Sequence, residues 1–314
     1  MKFKISTIAG DASYRKFHRI LINNKSKIIV STTKDKYKNL IAYTSISKFL
    51  RKNNILAPRL LDHNYSKGII IIEDFGDISF YKILLKKKNK FKIKKKLVDQ
   101  LIKIQKIKPQ TRIESIIRKK HLVEKYSINH LIKESDLFFD WYLPLLFNKK
   151  KTQNIKKKSK KILFKIYKKL YFPNSCFVHR DFHVQNLMKV DNKIGIIDSQ
   201  DAIIGNPMYD VVSLIDDVRI KIPRKTQSDL FKYYISKSKF KKEDHLNLKN
   251  DFDILSVQRN LKILGIFVRL YKRDIADVKP EDKTVIDKLQ SKNDLLKLCG
   301  HFSSMRFIIF TNLE

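Results

Sequence analysis

A chain of 314 residues is longer than a single hydrophobic core usually grows, so two lobes are expected. With 43% apolar and 11% aromatic residues the chain is expected to be globular throughout, and two isolated cysteines, Cys176 and Cys299, without C-x-x-C spacing give no support to a disulfide framework or a zinc site. The net charge of +37 would suit a nucleic-acid binder, but only thirteen of the 68 basic residues are Arg, the side chain that holds phosphates and bases in bidentate fashion; the excess Lys reads as solvated surface, and no specific nucleic acid is expected as a partner. Residues 1–10 lack the apolar run of a signal peptide and no stretch reaches the roughly 20 apolar residues of a membrane span, so the expectation is a cytoplasmic protein without membrane association.

In chain order, alternating or β-branched runs predict strands over residues 2–8, 14–23, 26–32, 59–63 and 68–73. Leu40, Ile41, Ile46, Phe49 and Leu50 recur near helical spacing and predict a helix over 37–53, which Pro58 keeps from continuing. From Phe80 onward helical periodicity dominates: Ile93, Leu97, Leu101 and Ile104 share one face of a helix over 91–108, ended by Pro109. Residues 148–169 hold eleven Lys and no acid, yet Ile155, Ile162, Leu163, Ile166 and Leu170 form an apolar stripe, which predicts a helix with a solvated basic face. A strand-loop-strand-turn-strand insert follows, with strands at 176–178, 187–190 and 193–197 and a hairpin turn at Asp191-Asn192. Asn206 as cap and Pro207 in the first turn then start another helix. Near the end, Arg259, Lys262, Arg269 and Lys272 or Arg273 lie roughly on one side of a helix over 258–273. The fold class is therefore α+β: a sheet lobe over 1–76 and a larger helical lobe over 77–314.

The insert carries the chemistry. His179-Arg180-Asp181-Phe182-His183-Val184-Gln185-Asn186 is followed twelve residues later by Asp198, so an Asp, an Asn five positions on and a second Asp fall on loops at strand ends. Phosphoryl transfer needs one carboxylate to orient and deprotonate an acceptor hydroxyl, plus oxygen ligands for Mg²⁺.

With its Gly10-Asp11-Ala12-Ser13-Tyr14-Arg15-Lys16-Phe17, Glu73-Asp74-Phe75-Gly76, 178–217 and Gln258-Arg259-Asn260-Leu261-Lys262-Ile263-Leu264-Gly265-Ile266-Phe267 segments, the chain resembles the aminoglycoside phosphotransferase and choline kinase superfamily, and within it the bacterial kinases of N-acetylmuramate and N-acetylglucosamine. The resemblance implies a two-lobed protein-kinase-like fold with a small antiparallel-sheet N-lobe, and transfer of the γ-phosphoryl of ATP, with Mg²⁺, to the anomeric hydroxyl of an amino sugar in cell-wall recycling. It implies Asp181 as catalytic base, Asn186 and Asp198 as Mg²⁺ ligands, and Asp210 as a helix carboxylate that holds the catalytic loop. Gly10, Asp11, Ala12 and Ser13 would cover the nucleotide phosphates, and Glu73, Asp74 and Phe75 would form the hinge beside adenine. His179 and Arg180 would brace the loop; His183, Asp201 and Arg259 are acceptor-side candidates.

Two departures from the kinase pattern stand out. The third strand has no Lys at its end, with Lys34, Arg15 and Arg19 as possible replacements, and Ser199-Gln200 stands where protein kinases have Phe-Gly. A kinase of another small alcohol (an aminoglycoside, choline or homoserine) and an inactive basic pseudokinase that binds nucleic acid or a protein are the alternative readings.

Overall fold

The computed structural model describes residues 3–8, 15–23, 25–33, 37–87, 89–116, 120–220 and 222–277. The expected phosphate-covering turn Gly10-Asp11-Ala12-Ser13, together with Lys34 and Cys299, lies outside the described residues.

In chain order the strands and helices begin with β1 (Phe3–Ile8), β2 (Lys16–Ile22), β3 (Lys25–Ser31), α1 (Tyr37–Lys52), β4 (Leu60–Asn64) and β5 (Ile69–Glu73). There follow α2 (Phe80–Lys86), α3 (Lys90–Gln105), the short strands β6 (Arg112–Glu114) and β7 (Lys120–Leu122), α4 (Ile128–Leu137) and α5 (Lys149–Tyr167). The last third holds β8 (Cys176–Val178), β9 (Leu187–Val190), β10 (Lys193–Ile196), β11 (Ile203–Gly205), α6 (Met208–Ile215), α7 (Arg224–Lys237) and α8 (His245–Asp277). An antiparallel sheet followed by a mostly helical region is the α+β architecture that the sequence predicts. Packing divides the chain into two units, Met1–Lys125 with Pro173–Lys241, and Tyr126–Phe172 with Lys242–Glu314.

In the first unit the sheet runs β1-β2-β3-β5-β4, every neighbour antiparallel. Successive strand residues face opposite ways, so Ile28 and Val30 on β3 and Ile70 and Ile72 on β5 share one face and bury it against Leu40 and Tyr43 of α1. Helix starts are fixed locally: Ser79 before α2 and Asn89 before α3 each accept a hydrogen bond from the backbone N–H three residues on. α6 starts one residue later than expected: Pro207 takes the cap position rather than the first turn, and the Asn206 side chain, just before it, accepts from Met208 N at 2.8 Å. Three strands, β6, β7 and β11, were not predicted. β11 pairs antiparallel with β8, and β6 with β7.

In the second unit α8 packs along α4 and is brought close by Gly265, where a Cβ would lie 2.2 Å from the Leu137 carbonyl carbon. Glu134 of α4 is buried in this contact, accepting from Gln258 Nε2 at 2.9 Å and pairing with Lys262 Nζ at 3.1 Å and with the Tyr126 hydroxyl. The expected basic face of α8 is thereby corrected at two of its residues: Arg259 is 2% exposed and Lys262 8%, Lys262 being held inside by Glu134, whereas Arg269 is half-buried and Lys272 exposed. The Lys-rich segment does form a helix, α5, with Lys157, Lys158 and Lys161 solvated and Lys156 and Lys160 paired with Asp136 and Asp140. Its buried stripe is Thr152, Ser159, Leu163 and Tyr167, whereas Ile162 is exposed, because the Tyr167 hydroxyl turns inward to bond Ser135 at 2.6 Å. Among the described residues no helix is long and apolar enough to cross a membrane.

Candidate active site

All of the site geometry lies in the first unit. β8 leads into the loop 179–186, and β10 delivers the segment 197–201 beside it. The two are stitched together by backbone and ring contacts. Ile197 N donates to Asn186 O at 3.0 Å, and the buried His179 ring spans both segments, its Nδ1 accepting from Asp181 N at 3.3 Å while Nε2 donates to Ile197 O at 3.0 Å. That pairing fixes the tautomer with the proton on Nε2.

Arg180 and Asp198 both adopt left-handed backbone, with φ of 72° and 63°, which costs a non-glycine residue free energy and persists only where neighbours enforce it. Asp210, fully buried on α6, supplies the enforcement at Arg180: Oδ2 accepts from His179 N at 2.6 Å and Oδ1 from Arg180 N at 3.1 Å. Charge-assisted bonds of this kind are about twice as strong as neutral ones. Asp217 plays a parallel part on the other side of the loop, accepting from Val184 N at 3.4 Å and Arg219 N at 3.1 Å. Burial works to raise the Asp217 carboxyl, but Arg219, His183 and Lys94 around it hold it below the ordinary carboxylate range.

Asn186 and Asp198 line one cavity of about 400 Å³ whose opposite wall is the sheet, with Phe17, Ile28 and Ile72 giving it an apolar lining. The Asn186 amide nitrogen donates to Asp181 O at 3.1 Å, so the side chain ties Asp181 to the cavity and its oxygen is the atom suited to a hard cation. Among the described residues no three His, Cys, Asp or Glu side chains gather as a metal cage. An amide oxygen with one carboxylate is instead the sparse oxygen donor set that fits Mg²⁺, a cation that keeps several of its waters.

Glu73, Asp74 and Phe75 line the same cavity. Glu73 accepts from Arg51 at 3.2 Å and from Arg59 N at 3.1 Å, and Phe75 packs on the hairpin at Gly195, where a Cβ would lie 2.7 Å from its ring. Asp74 pairs with Arg19 through both oxygens, at 2.5 and 3.0 Å, and Asp77 takes the remaining Arg19 nitrogen at 2.8 Å. Burial favours the neutral Asp74 carboxyl, yet bonds from Arg19 and Gly76 N hold it below its ordinary value. Arg15, the residue before β2, is 8% exposed and pairs with Asp198 at 2.6 Å.

Of the other acceptor-side candidates, His183 is buried beside Asp217 and approaches Asn186 Nδ2 at 3.4 Å. Asp201 is exposed and receives Gln200 Nε2 at 2.7 Å. Arg259 belongs to the second unit. The sequence reading assigned no part to Asp217, Arg219 or Lys94. Asp217 stands beside an ordinary-looking Asp216, and the available signal was its place at the end of an otherwise apolar helix run.

The model of the phosphotransferase enzyme family (APH) matches residues 4–243. The chain is 25% identical over 279 residues to the N-acetylmuramate/N-acetylglucosamine kinase of Neisseria meningitidis serogroup B, covering 88% of this chain and 81% of that protein, and 25% identical over 273 residues to the Pseudomonas aeruginosa protein of the same name, covering 85% and 76%. Among solved structures it is similar to ADP-bound aminoglycoside phosphotransferase APH(2'')-Ib, with a TM-score of 0.58 at 16% identity over 94% of this chain and 92% of that one. Choline kinase LicA from Streptococcus pneumoniae superposes equally well, with a TM-score of 0.58 at 14% identity over 94% and 93%. With a family match that spans residues 4–243 and includes the loop 179–186 and the segment 197–201, the chain belongs to the phosphotransferase enzyme family.

Proposed function

We propose that the protein is an ATP-dependent kinase that moves the γ-phosphoryl group, with Mg²⁺, to the anomeric hydroxyl of an amino sugar such as N-acetylmuramate or N-acetylglucosamine, in cell-wall sugar recycling. The observation that carries the reading is the pairing of Asn186 and Asp198 in one cavity, with Asp181 bonded to Asn186 through its backbone carbonyl. The two relatives named as kinases of these sugars match over most of both chains, which supports the choice of acceptor class.

In this reading Asp181 is the base that orients and accepts the proton of the acceptor hydroxyl. Asp210 keeps it in place by holding His179 N and Arg180 N, so the loop's strain is borne by a buried carboxylate rather than by the reacting group. Asn186 and Asp198 would hold Mg²⁺, which when bound neutralises charge on the phosphoryl oxygens. The apolar wall of Phe17, Ile28 and Ile72 is suited to a purine ring, and Glu73, Asp74 and Phe75, which line the same cavity, would form the hinge beside it. Gly10, Asp11, Ala12 and Ser13 would cover the phosphates. Asp201 and His183 are the acceptor-side candidates in this unit.

The test is incubation with Mg-ATP and a panel of N-acetylmuramate, N-acetylglucosamine, an aminoglycoside, choline and homoserine, followed by ³¹P NMR. The expected product is a sugar phosphate that mild acid hydrolyses, as an anomeric phosphate does and an ordinary alcohol phosphate does not. An acid-stable product from another panel member would replace the acceptor, and the absence of any product with every acceptor would leave a pseudokinase.

A further inference from the structure

The two departures from the kinase pattern, an absent strand-three Lys and a Gln in place of Gly after the metal-binding Asp, meet in space. On β3 the residue that reaches the cavity is Ile28, and its partner across the ladder is Arg19 on β2. Arg19 is already committed, all three of its guanidinium nitrogens being taken by Asp74 and Asp77. Arg15, four residues earlier and immediately before β2, is placed differently. Its Nη2 lies 2.6 Å from Asp198 Oδ1 and its Nη1 donates to Gln200 Oε1 at 2.7 Å. The guanidinium is flanked by Phe17 and Tyr43, its carbon 5.5 and 5.9 Å from their ring centroids. Gln200 in turn donates to Asp201 at 2.7 Å, so its amide orientation is fixed.

We propose that Arg15 is this enzyme's nucleotide-phosphate cation, relocated from the third strand to the residue that leads into the second, and that Gln200 is the positioning residue that steers it. A buried guanidinium needs an anion beside it. Asp198 is that anion here, and if Asp198 is drawn to a divalent cation, Arg15 must find another. The phosphates of the nucleotide are the anions that arrive in the same cavity, and a planar fork held at one nitrogen by Gln200 presents the other to them. The absent Lys and the Gln200 substitution are thus one compensated change rather than two marks of a degenerate kinase.

This inference rests on the nucleotide-binding reading of the cavity, and calorimetric titration of the full-length protein with ADP and, separately, with adenosine tests the two apart. Arg15→Met is expected to weaken ADP about 10- to 100-fold while adenosine affinity stays unchanged, because only the phosphates address the guanidinium. Arg15→Lys should fall between, keeping charge without the fork. Gln200→Leu should weaken ADP less, and combined with Arg15→Met should add nothing further, since it acts through Arg15. Should Arg15→Met fail to fold, Arg15→Lys carries the test, with a lowered ADP-to-adenosine preference expected. An unchanged preference in the folded Arg15 variants would overturn the Arg15 assignment alone, and additive losses would remove Gln200. Wild-type protein that binds neither compound would overturn the nucleotide reading as well.

Discussion

The sheet and the catalytic loop face each other across one cavity, and they are built on opposite principles. The sheet is held by apolar alternation: Ile28, Val30, Ile70 and Ile72 bury one face against Leu40 and Tyr43, and no individual side chain decides its geometry. The loop is held by buried carboxylates whose oxygens take up backbone N–H groups, Asp210 at His179 and Arg180 and Asp217 at Val184 and Arg219. An apolar face can absorb a change of shape at a modest cost in stability. A left-handed Arg180 held by two charge-assisted bonds has no such latitude, so damage there should appear in turnover before it appears in folding.

The largest effect expected is at the loop's centre. Asp181→Asn should lower turnover by about 10²- to 10⁴-fold in a coupled assay of ADP release, with the melting temperature unchanged. Turnover that survives this substitution would take Asp181 out of its role. Asp210→Asn comes next. Its single amide oxygen can satisfy one of the two N–H groups and turns an NH₂ toward the other, which costs about 1–3 kcal/mol in urea denaturation and should lower kcat about 10- to 100-fold with nucleotide affinity preserved. Equal losses in kcat and in ADP affinity would show that Asp210 shapes the cavity as a whole rather than the loop.

A third prediction uses the charge packed beneath the loop. Lys94 on α3 is 1% exposed, donates to Leu214 O at 2.7 Å, and is pushed down to about 8 by burial, which outweighs the attraction of Asp217 and Asp216 and is aided by Lys90. Its ordinary value is 10.5, so between these pH values the unfolded chain keeps the proton that the folded protein has lost. Stability therefore rises with pH across that window, and below pH 8 the penalty of charging the buried amine is constant. Compared with Lys94→Met, the wild-type protein should gain at most about 3 kcal/mol between pH 8 and 10.5, read as the difference between urea curves. A pH-independent difference would mean that the amine titrates as if solvated.

How much of this was legible beforehand follows the same division. The five strands and α1 fall within two residues of their predicted bounds, because period-2 alternation is written in neighbouring residues such as Ile28, Val30, Ile70 and Ile72. β11 was missed because Ile203-Ile204-Gly205 is too short to show a period and gains its identity only by pairing with Cys176–Val178. Burial of charge was equally hidden. Lys94 sits in a Lys-rich run and reads as solvent-facing, yet it occupies the buried side of α3 with Leu97 and Leu101, and the basic face expected around Arg259 closes inward on Glu134 through Lys262. The Asp181, Asn186 and Asp198 pattern was readable as a motif, whereas the union of Arg15 with Asp198 and Gln200 joins residues more than 180 positions apart and has no local signature.

The smallest effect belongs to the sheet and sharpens the contrast most directly. Ile70 is fully buried at the centre of the β5 face, and Ile70→Val removes one methylene from a packed site, at a cost of about 1 kcal/mol. The side chain is absent from the cavity lining, where its strand neighbour Ile72 appears, so kcat and ADP affinity should both match wild type while the urea midpoint falls. If activity falls in step with stability, the sheet transmits its packing to the catalytic loop, and the separation between an apolar support and a polar catalytic frame is wrong. If the midpoint falls alone, the cavity tolerates loss of packing behind its wall as long as the carboxylate bonds of the loop remain intact.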